Sequence, residues 1–353
     1  MKALLNRNEG HQFQTRGIAR TANAALAASI LAGARLPAYT PGADTPHGVI
    51  TTANASLFAQ AHFSEPMTSY ATGWRDPYSF DARCEFLAPS IMPSGDYFEY
   101  ITYENAEAFF SDGQYDDLRA IGADFKTVDF TSDKVWQKIP NRGLRIVLDW
   151  DRIKTMANWE QYYTGMLLQR IKRNAFRRKV ALAIASATNV PLVWDPAGAA
   201  DPDNDLVTEV QATGDVSGIT PNRALWGIGA QLLRFATYGA TNTAKAMTGR
   251  LLTPVEASSK IGLEAQVDES RYQSGITKAR ILGSQVILFN AYGTSTEDPS
   301  NFKTAKGPTQ QGGETAVYVR QLSVKQWEIV VEVYEMEWCA TPLGVTLLSV
   351  TAS

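Results

Sequence analysis

The residues of this chain whose types could do chemistry are two cysteines, three histidines and a run of alternating aspartates. Cys84 could serve as a nucleophile, but a buried small hydrophobe is the better reading of it, and Cys339 lies far away in sequence. His11, His47 and His62 all fall in a proline-rich region and lack metal-ligand spacing with one another or with a cysteine. Asp201, Asp203 and Asp205 alternate as in a calcium loop, yet the glycine and the bidentate glutamate of such a loop are missing at their spacings. Gly227-Ile228-Gly229 lacks the third glycine of a dinucleotide fingerprint and does not follow a strand in this reading. There is no GxxxxGKS/T loop, no GxSxG elbow and no HExxH helix. No set of acid, base, nucleophile and metal ligands assembles, so the expectation is a protein that is not an enzyme, with no catalytic, cofactor-binding or metal residues.

One charged pattern does stand out. Arg170, Lys172, Arg173, Arg177, Arg178 and Lys179 form a basic run with no acid among them. Three readings are open: a solvated face near a helix C-terminus, a patch facing nucleic acid, or a face that pairs with acids of a neighbouring subunit. A net charge of −3 argues against a dedicated nucleic-acid binder.

The element that carries this run is the most informative in the chain. From Asp151 to Ala187 there is no proline and a single glycine. Apolar residues recur at Ile153, Met156, Ala157, Tyr163, Met166, Leu167, Ile171 and Ala175, at steps of three and four. The spacing predicts one amphipathic helix ~55 Å long, capped by Asp149 or Asp151 and ended before Pro191. A single apolar stripe of that length needs an extended partner surface.

The 353 residues, 44 % hydrophobic and 20 % charged, suit a soluble chain of one to three domains. Two distant thiols make no disulfide framework, so a reducing compartment is the default. The apolar run Ala24–Ala34 is too short to span a bilayer. With Arg16 and Arg20 before it the run imitates a signal peptide, but a short alanine-rich helix is the preferred reading. Residues 1–62, rich in proline and without hydrophobic period, read as an arm that orders on a neighbour, against a disordered tail.

Residues 63–94 read as irregular packed structure. Tyr97–Tyr103, Lys126–Thr131, Lys134–Ile139 and Leu144–Leu148 read as strands of a long hairpin. Near its far end lies the acidic stretch Asp112, Asp116 and Asp117. After the long helix, Asp201–Asp205 reads as loop, and Thr220-Pro221 opens a helix to about Thr237. Thr253-Pro254-Val255-Glu256 opens another with capping-box spacing. Ala279–Asn290 reads as strand and Gly293–Gly313 as loop. In the last strand Trp327, Ile329, Val331 and Val333 share a face, after which the apolar phase switches to Tyr334, Met336 and Trp338; a bulge is expected there. Val345–Val350 could close the sheet.

This order of parts resembles the tailed-phage major capsid proteins of the Hong Kong 97 fold. The echoes are Gly218-Ile219-Thr220-Pro221-Asn222-Arg223-Ala224-Leu225, Thr253-Pro254-Val255-Glu256 leading into Lys260-Ile261-Gly262-Leu263, Asp298-Pro299-Ser300, and the aromatic strand from Trp327 to Trp338. The resemblance implies an α+β fold with an N-terminal arm (1–62), an extended β-hairpin loop with flanking peripheral strands (63–150), a spine helix of a peripheral domain (151–188), a mixed α/β axial domain (189–320) and C-terminal strands returning to the peripheral or axial sheet (321–353). It implies a shell protein that forms pentamers and hexamers of an icosahedral virion capsid, assembled in the host cytoplasm. Its extended loop would lie over a neighbour's spine region, and packaged DNA would face the inner wall without specific recognition.

Implied partners are further copies of itself, a portal and a separate scaffolding protein, since only about sixty residues precede the packed region. Decoration or minor capsid proteins are further candidates; a membrane is not. Some members crosslink a loop lysine to a neighbour's asparagine. Lys126, Lys134 and Lys138 lie in that region but read as solvated lysines. The expected intersubunit contact joins Asp112, Asp116 and Asp117 to Arg173 and Arg177 of an adjacent subunit. The alternative within the fold is an encapsulin-type nanocompartment shell, with an enzyme of unknown class more distant.

Overall fold

The computed structural model describes residues 62–353, apart from 94, 103–117, 120, 126–132, 196–199, 241–243, 293–299, 311–312 and 353. The expected arm, the strand at 126–131 and the acidic stretch therefore lie outside the described residues. In chain order the elements are α1 (Glu65–Gly73), α2 (Phe80–Leu87), β1 (Ser90–Ile91), β2 (Tyr97–Thr102), β3 (Asp133–Lys138), β4 (Asn141–Asp149), α3 (Trp150–Ile153), α4 (Trp159–Ser186), β5 (Thr188–Val193), α5 (Pro202–Ser217), β6 (Arg223–Gly227), α6 (Ile228–Ala240), α7 (Ala244–Leu251), α8 (Pro254–Lys260), β7 (Glu264–Asp268), β8 (Arg271–Ser274), β9 (Thr277–Arg280), β10 (Gln285–Phe289), β11 (Phe302–Gly307), β12 (Thr315–Ser323), β13 (Gln326–Cys339) and β14 (Thr346–Thr351).

The first sheet is organised on β13. Along Gln326–Tyr334 it pairs antiparallel with β4, and along Gln326–Val333 also with β12. Its remaining length, Tyr334–Cys339, pairs with β11, to which β1 adds in parallel. The switch in apolar phase is not a bulge in β13. Its pairing with β4 and β11 is continuous, and the register shift falls in β12, between Gln321 and Ser323. The physical cause is a change in which face is covered. Ile329, Val331 and Val333 are buried against Tyr163, Leu167, Leu168 and Ile171 of α4. Further along, Trp338 packs on the other face, against Phe98 and Tyr100 of β2 and Ile139. One unbroken strand thus serves two cores in succession, and its apolar alternation follows the cover.

The spine helix is shorter than its apolar period suggested. α4 has 28 residues, ~42 Å at the usual rise. Before it stands the single turn α3, whose cap Asp149 accepts a hydrogen bond from the Asp151 amide at 2.9 Å. Trp150 N–H donates to the Lys325 carbonyl at 2.7 Å, pinning this turn to the start of β13. Ile153 is fully buried and Met156 packs on the same core from the connecting turn. Burial, not helical continuity, is what those apolar positions needed.

The second sheet runs β5-β14-β10-β6-β7 and takes strands from distant parts of the chain. Two sequence expectations are corrected here. Asp201–Asp205 is not loop: Pro202 sits in the first turn of α5, Leu206, Val210, Thr213 and Ser217 are buried at helical spacing, and Gly218 closes the helix with φ of 70°. Thr220-Pro221 opens no helix; it leads into β6. That strand lies between antiparallel β10 and parallel β7, with Ala224, Leu225 and Trp226 all buried. Buried on both faces, it shows an apolar run without alternation, which periodicity cannot tell from a buried helix.

Other expectations divide similarly. The strand expected over Ala279–Asn290 is two, β9 in a small hairpin with β8, and β10. The loop expected over Gly293–Gly313 contains strand β11. The irregular stretch 63–94 contains helices α1 and α2. In contrast, the capping box at Thr253 and Glu256 forms in full. β14 joins the second sheet, while β11 and β12 belong to the first, so position 320 falls inside a strand of the first sheet.

Candidate functional site

The basic run on α4 faces several elements of its own chain. Lys172 pairs with Asp81 of α2 at 2.8 Å. Arg178 reaches β13, bonding Glu337 at 2.8 Å and also Glu335. Lys179 is buried and donates to the Cys84 and Ala88 carbonyls, 3.4 and 3.3 Å away at the C-terminal end of α2. A cation there suits the negative end of the helix dipole. The absence of acids within the run therefore reflects acids supplied by other elements.

Arg173 and Arg177 are engaged differently. The Arg173 guanidinium lies 5.5 Å from the Phe80 ring centre and 5.9 Å from that of Tyr78. Its Nε is buried without a hydrogen-bond partner. Arg177, which is exposed, sits 3.7 Å over the ring of Tyr272 on β8. Such stacks hold a guanidinium plane while leaving its N–H edge free. Asp112, Asp116 and Asp117 lie outside the described residues.

Around Arg173 opens a cleft of about 600 Å³. Tyr78, Ser79 and Phe80 form one wall, and the β8–β9 hairpin with Arg271 and Lys278 forms the other. Asp76 holds the first wall in place, accepting hydrogen bonds from the Phe80 and Tyr78 amides at 2.7 and 3.1 Å. Arg83 also lines it, and one Nη donates to buried Asp268 at 2.8 Å and to Ser270 Oγ at 2.7 Å. Glu269 is the acid in the lining. Sequence reasoning found Arg173 but missed the hairpin, because a strand was expected through residues 279–290. The available signal was the turn at Ser274-Gly275-Ile276-Thr277, with basic residues on both sides.

The two cysteines and the three alternating aspartates are committed to structure, while His11 and His47 lie outside the described residues. Burial pushes both thiols up to about 11, for Cys84 despite Lys179 nearby and for Cys339 despite bonds to Ser186 and Thr341. Neither is a thiolate near neutrality. The three aspartates each take a different partner. Tyr238 donates its hydroxyl to Asp201 at 3.0 Å, Arg234 binds Asp203 with two bonds of 2.7 and 2.9 Å, and Trp194 donates to Asp205 at 3.0 Å. This network ties α5 to α6. Burial raises the Tyr238 hydroxyl well above its usual range, with Asp203 and Asp201 adding to the effect. Gly227 and Gly229 meet the turn at Gly283 and Ser284, where an added Cβ would collide. Their spacing serves backbone packing rather than a phosphate. Among the described residues, no group of His, Cys, Asp and Glu is placed to hold a metal ion, and no helix is long and apolar enough to cross a membrane.

No protein-family model matches the sequence, and no curated protein matches it. Among solved structures the chain is similar to a phage-related protein from Bordetella bronchiseptica RB50, at 16 % identity and a TM-score of 0.58, over 82 % of this chain and 97 % of that one. A putative capsid protein of a prophage of E. coli CFT073 (10 %, 0.46, covering 82 % and 99 %) and the capsid of cyanophage P-SCSP1u (10 %, 0.47, covering 76 % and 88 %) lie below 0.5 and carry no weight here. At these identities what is shared is the fold, and it is the mixed α+β Hong Kong 97-type fold expected from the sequence.

Proposed function

We propose that this chain is the major capsid protein of a tailed double-stranded DNA phage or prophage, a non-enzymatic subunit that assembles with copies of itself into an icosahedral shell. The observation that carries this reading, beside the shared fold, is the β2–β3 hairpin. Phe98 and Tyr100 on one face are buried against Trp338. The opposite face presents Tyr97 and Trp136, 64 % and 68 % exposed. A two-stranded hairpin with aromatics on both faces is built to be covered twice, once by its own chain and once by another. Helix α6 adds a second uncovered surface, with Leu232, Phe235, Ala236, Gly239 and Ala240 exposed at helical spacing. We take the second sheet with α5–α8 as the axial part meeting at the ring centre, and the first sheet with α4 as the peripheral part, so that β11 and β12 leave the axial range expected over 189–320. A separate scaffolding protein, a portal and enclosed DNA complete the reading.

Electron microscopy and light scattering of the chain expressed alone, and with a candidate scaffold, test it. Closed shells or rings several times the monomer mass are expected; a persistent monomer under both conditions overturns the reading. Shells that enclose a dedicated cargo protein instead would favour the nanocompartment alternative.

The contact of Asp112, Asp116 and Asp117 with Arg173 and Arg177 of an adjacent subunit is proposed as a register device. Each exposed pair contributes only ~0.2–1 kcal/mol. Changing Asp116 and Asp117 to lysine is expected to impair assembly, and Arg177→Glu to rescue part of it. Unchanged assembly in the first variant removes the idea.

A further inference from the structure

Charge is segregated along the elements of the second sheet. From Val180 to Asn222 there are six acids and no base, and from Ala224 to Val255 three bases and no acid. The fold uses part of this. Arg234 binds Asp203 in the first turn of α5 and donates to the Leu252 carbonyl just beyond α7. Asp215 and Arg250 are left over. Both are exposed, in the last turns of α5 and α7, and neither joins an ion pair among the described residues. Asp215 lies ~18 Å further along α5 than the Asp203 contact. Glu256, the first acid after the basic block, is committed to its own capping box. Each leftover charge stands beside an exposed apolar side chain: Val216, 71 % exposed, follows Asp215, and Leu251, 82 % exposed, follows Arg250. The Arg250 guanidinium lies 5.1 Å from the ring centre of Phe235, itself half exposed on α6. Asp215 also breaks a local rule. An acid in the last turn faces the negative end of the helix dipole and costs stability there, and such a breach points to a role outside the helix.

We propose that the end of α5 in one copy docks on the α6–α7 face of the next, with Asp215 against Arg250 and Val216 against Leu251 and Phe235. This rests on the shell reading above and names which faces of the axial part meet. Charge complementarity selects the occupant. Pairing either face with itself would set Arg250 against Arg250, or Asp215 against Asp215, with no opposite charge in the same block of sequence to relieve it. The unlike faces match in sign, and each brings uncovered apolar surface to the contact. A contact between two different faces of one chain is heterologous: it runs head to tail and closes into rings, where a self-complementary face would stop at dimers.

The test uses the full chain carrying Asp215→Arg, Arg250→Asp, or both, with assembly followed by light scattering and electron microscopy beside the parent. Each single variant should need about tenfold or more protein for half-assembly, because the fault repeats at every contact of the ring. The double variant, with the charges exchanged, should recover most of the loss. The melting temperature of the unassembled Asp215→Arg chain should hold or rise, since a cation suits a helix C-terminus. Stability and assembly then move in opposite directions. Leu251→Ser, at a position already open to solvent, should impair assembly without moving the melting temperature. Mixed in equal amounts, the two single variants complement each other by alternating around the ring. An even ring allows this and a five-membered ring does not, so hexamers without pentamers are expected. Single variants that assemble as the parent does overturn the contact and leave the shell reading standing. A double variant as defective as the singles overturns the pairing of these residues, and assembly improved by Arg250→Asp overturns it by showing that like faces meet. A parent that stays monomeric overturns the shell reading and this inference with it.

Discussion

Glu85, Lys306 and Ser90 form a small junction between α2, β11 and β1, and its ionisation sets a pH dependence. Burial alone would raise the Glu85 carboxyl. Hydrogen bonds from the Ser90 hydroxyl (2.5 Å) and amide (2.9 Å), with Lys306 at 3.3 Å, outweigh it and hold the carboxyl below its usual 4.5. A carboxyl depressed in the folded state contributes stability above its unfolded value, and that contribution is lost as pH falls through the folded value. Lys306 goes the other way. Burial would lower it, but Glu314 and Glu85 raise it above 10.5, so its contribution is lost only as pH rises past that. Urea midpoints should therefore drop as pH falls below about 4.5, and Glu85→Gln should flatten the drop. An equally steep drop in the variant assigns the acid sensitivity elsewhere. At the same scale, Gly227→Ala should destabilise by about 1–3 kcal/mol, because the obstructing atoms are the backbone of Gly283 and not a side chain that can swing away. Chemical denaturation measures it; a change near zero would show that the turn yields.

At the scale of elements, β13 and the hairpin that crosses it decide how the chain is divided between fold and assembly. The face of β13 toward α4 is apolar through Val333 and acidic at Glu335 and Glu337, where Arg178 answers it. The opposite face is polar early, with Arg145 and Arg320 both pairing with Glu328. It becomes apolar where the hairpin arrives. The hairpin's inner face thus belongs to the fold and its outer face does not. Trp136→Ala should leave the melting temperature of the unassembled chain within about 1 °C or so of the parent, as surface changes do, while impairing assembly. A large drop in melting temperature would place Trp136 in the monomer's own core.

For the whole molecule, the two sheets exchange strands along the chain. The first takes β1, β4 and β11–β13; the second takes β5–β7, β10 and β14. α4 packs on the first sheet through Leu167 and Ile171 and on the second core through Phe176 and Ala183. A rigid strut shared by two cores lets neither sheet unfold alone. Denaturation of the unassembled chain should accordingly be a single transition when followed by tryptophans in both halves, Trp338 in the first and Trp226 in the second. Two separated transitions would show that the strut does not couple them.

Local chemistry was written in the residues. The capping box at Thr253, the absence of proline and of all but one glycine through the spine, and the alternation of β2, β3 and β13 are properties of neighbours in sequence. They needed no fold to be read. What needed the fold was everything decided by long-range cover. Ala224-Leu225-Trp226 became strand because two distant strands flank it. The phase of β13 changed because a different element lies over each half. The spine broke after Ile153 because burial there could be met by a turn. Arg173 was legible as a cation on a helix, but its cleft depends on Tyr78 and Lys278, residues nearly one hundred or more positions away. Sequence carries propensity and period; which face is covered, and by what, is settled only when remote segments meet.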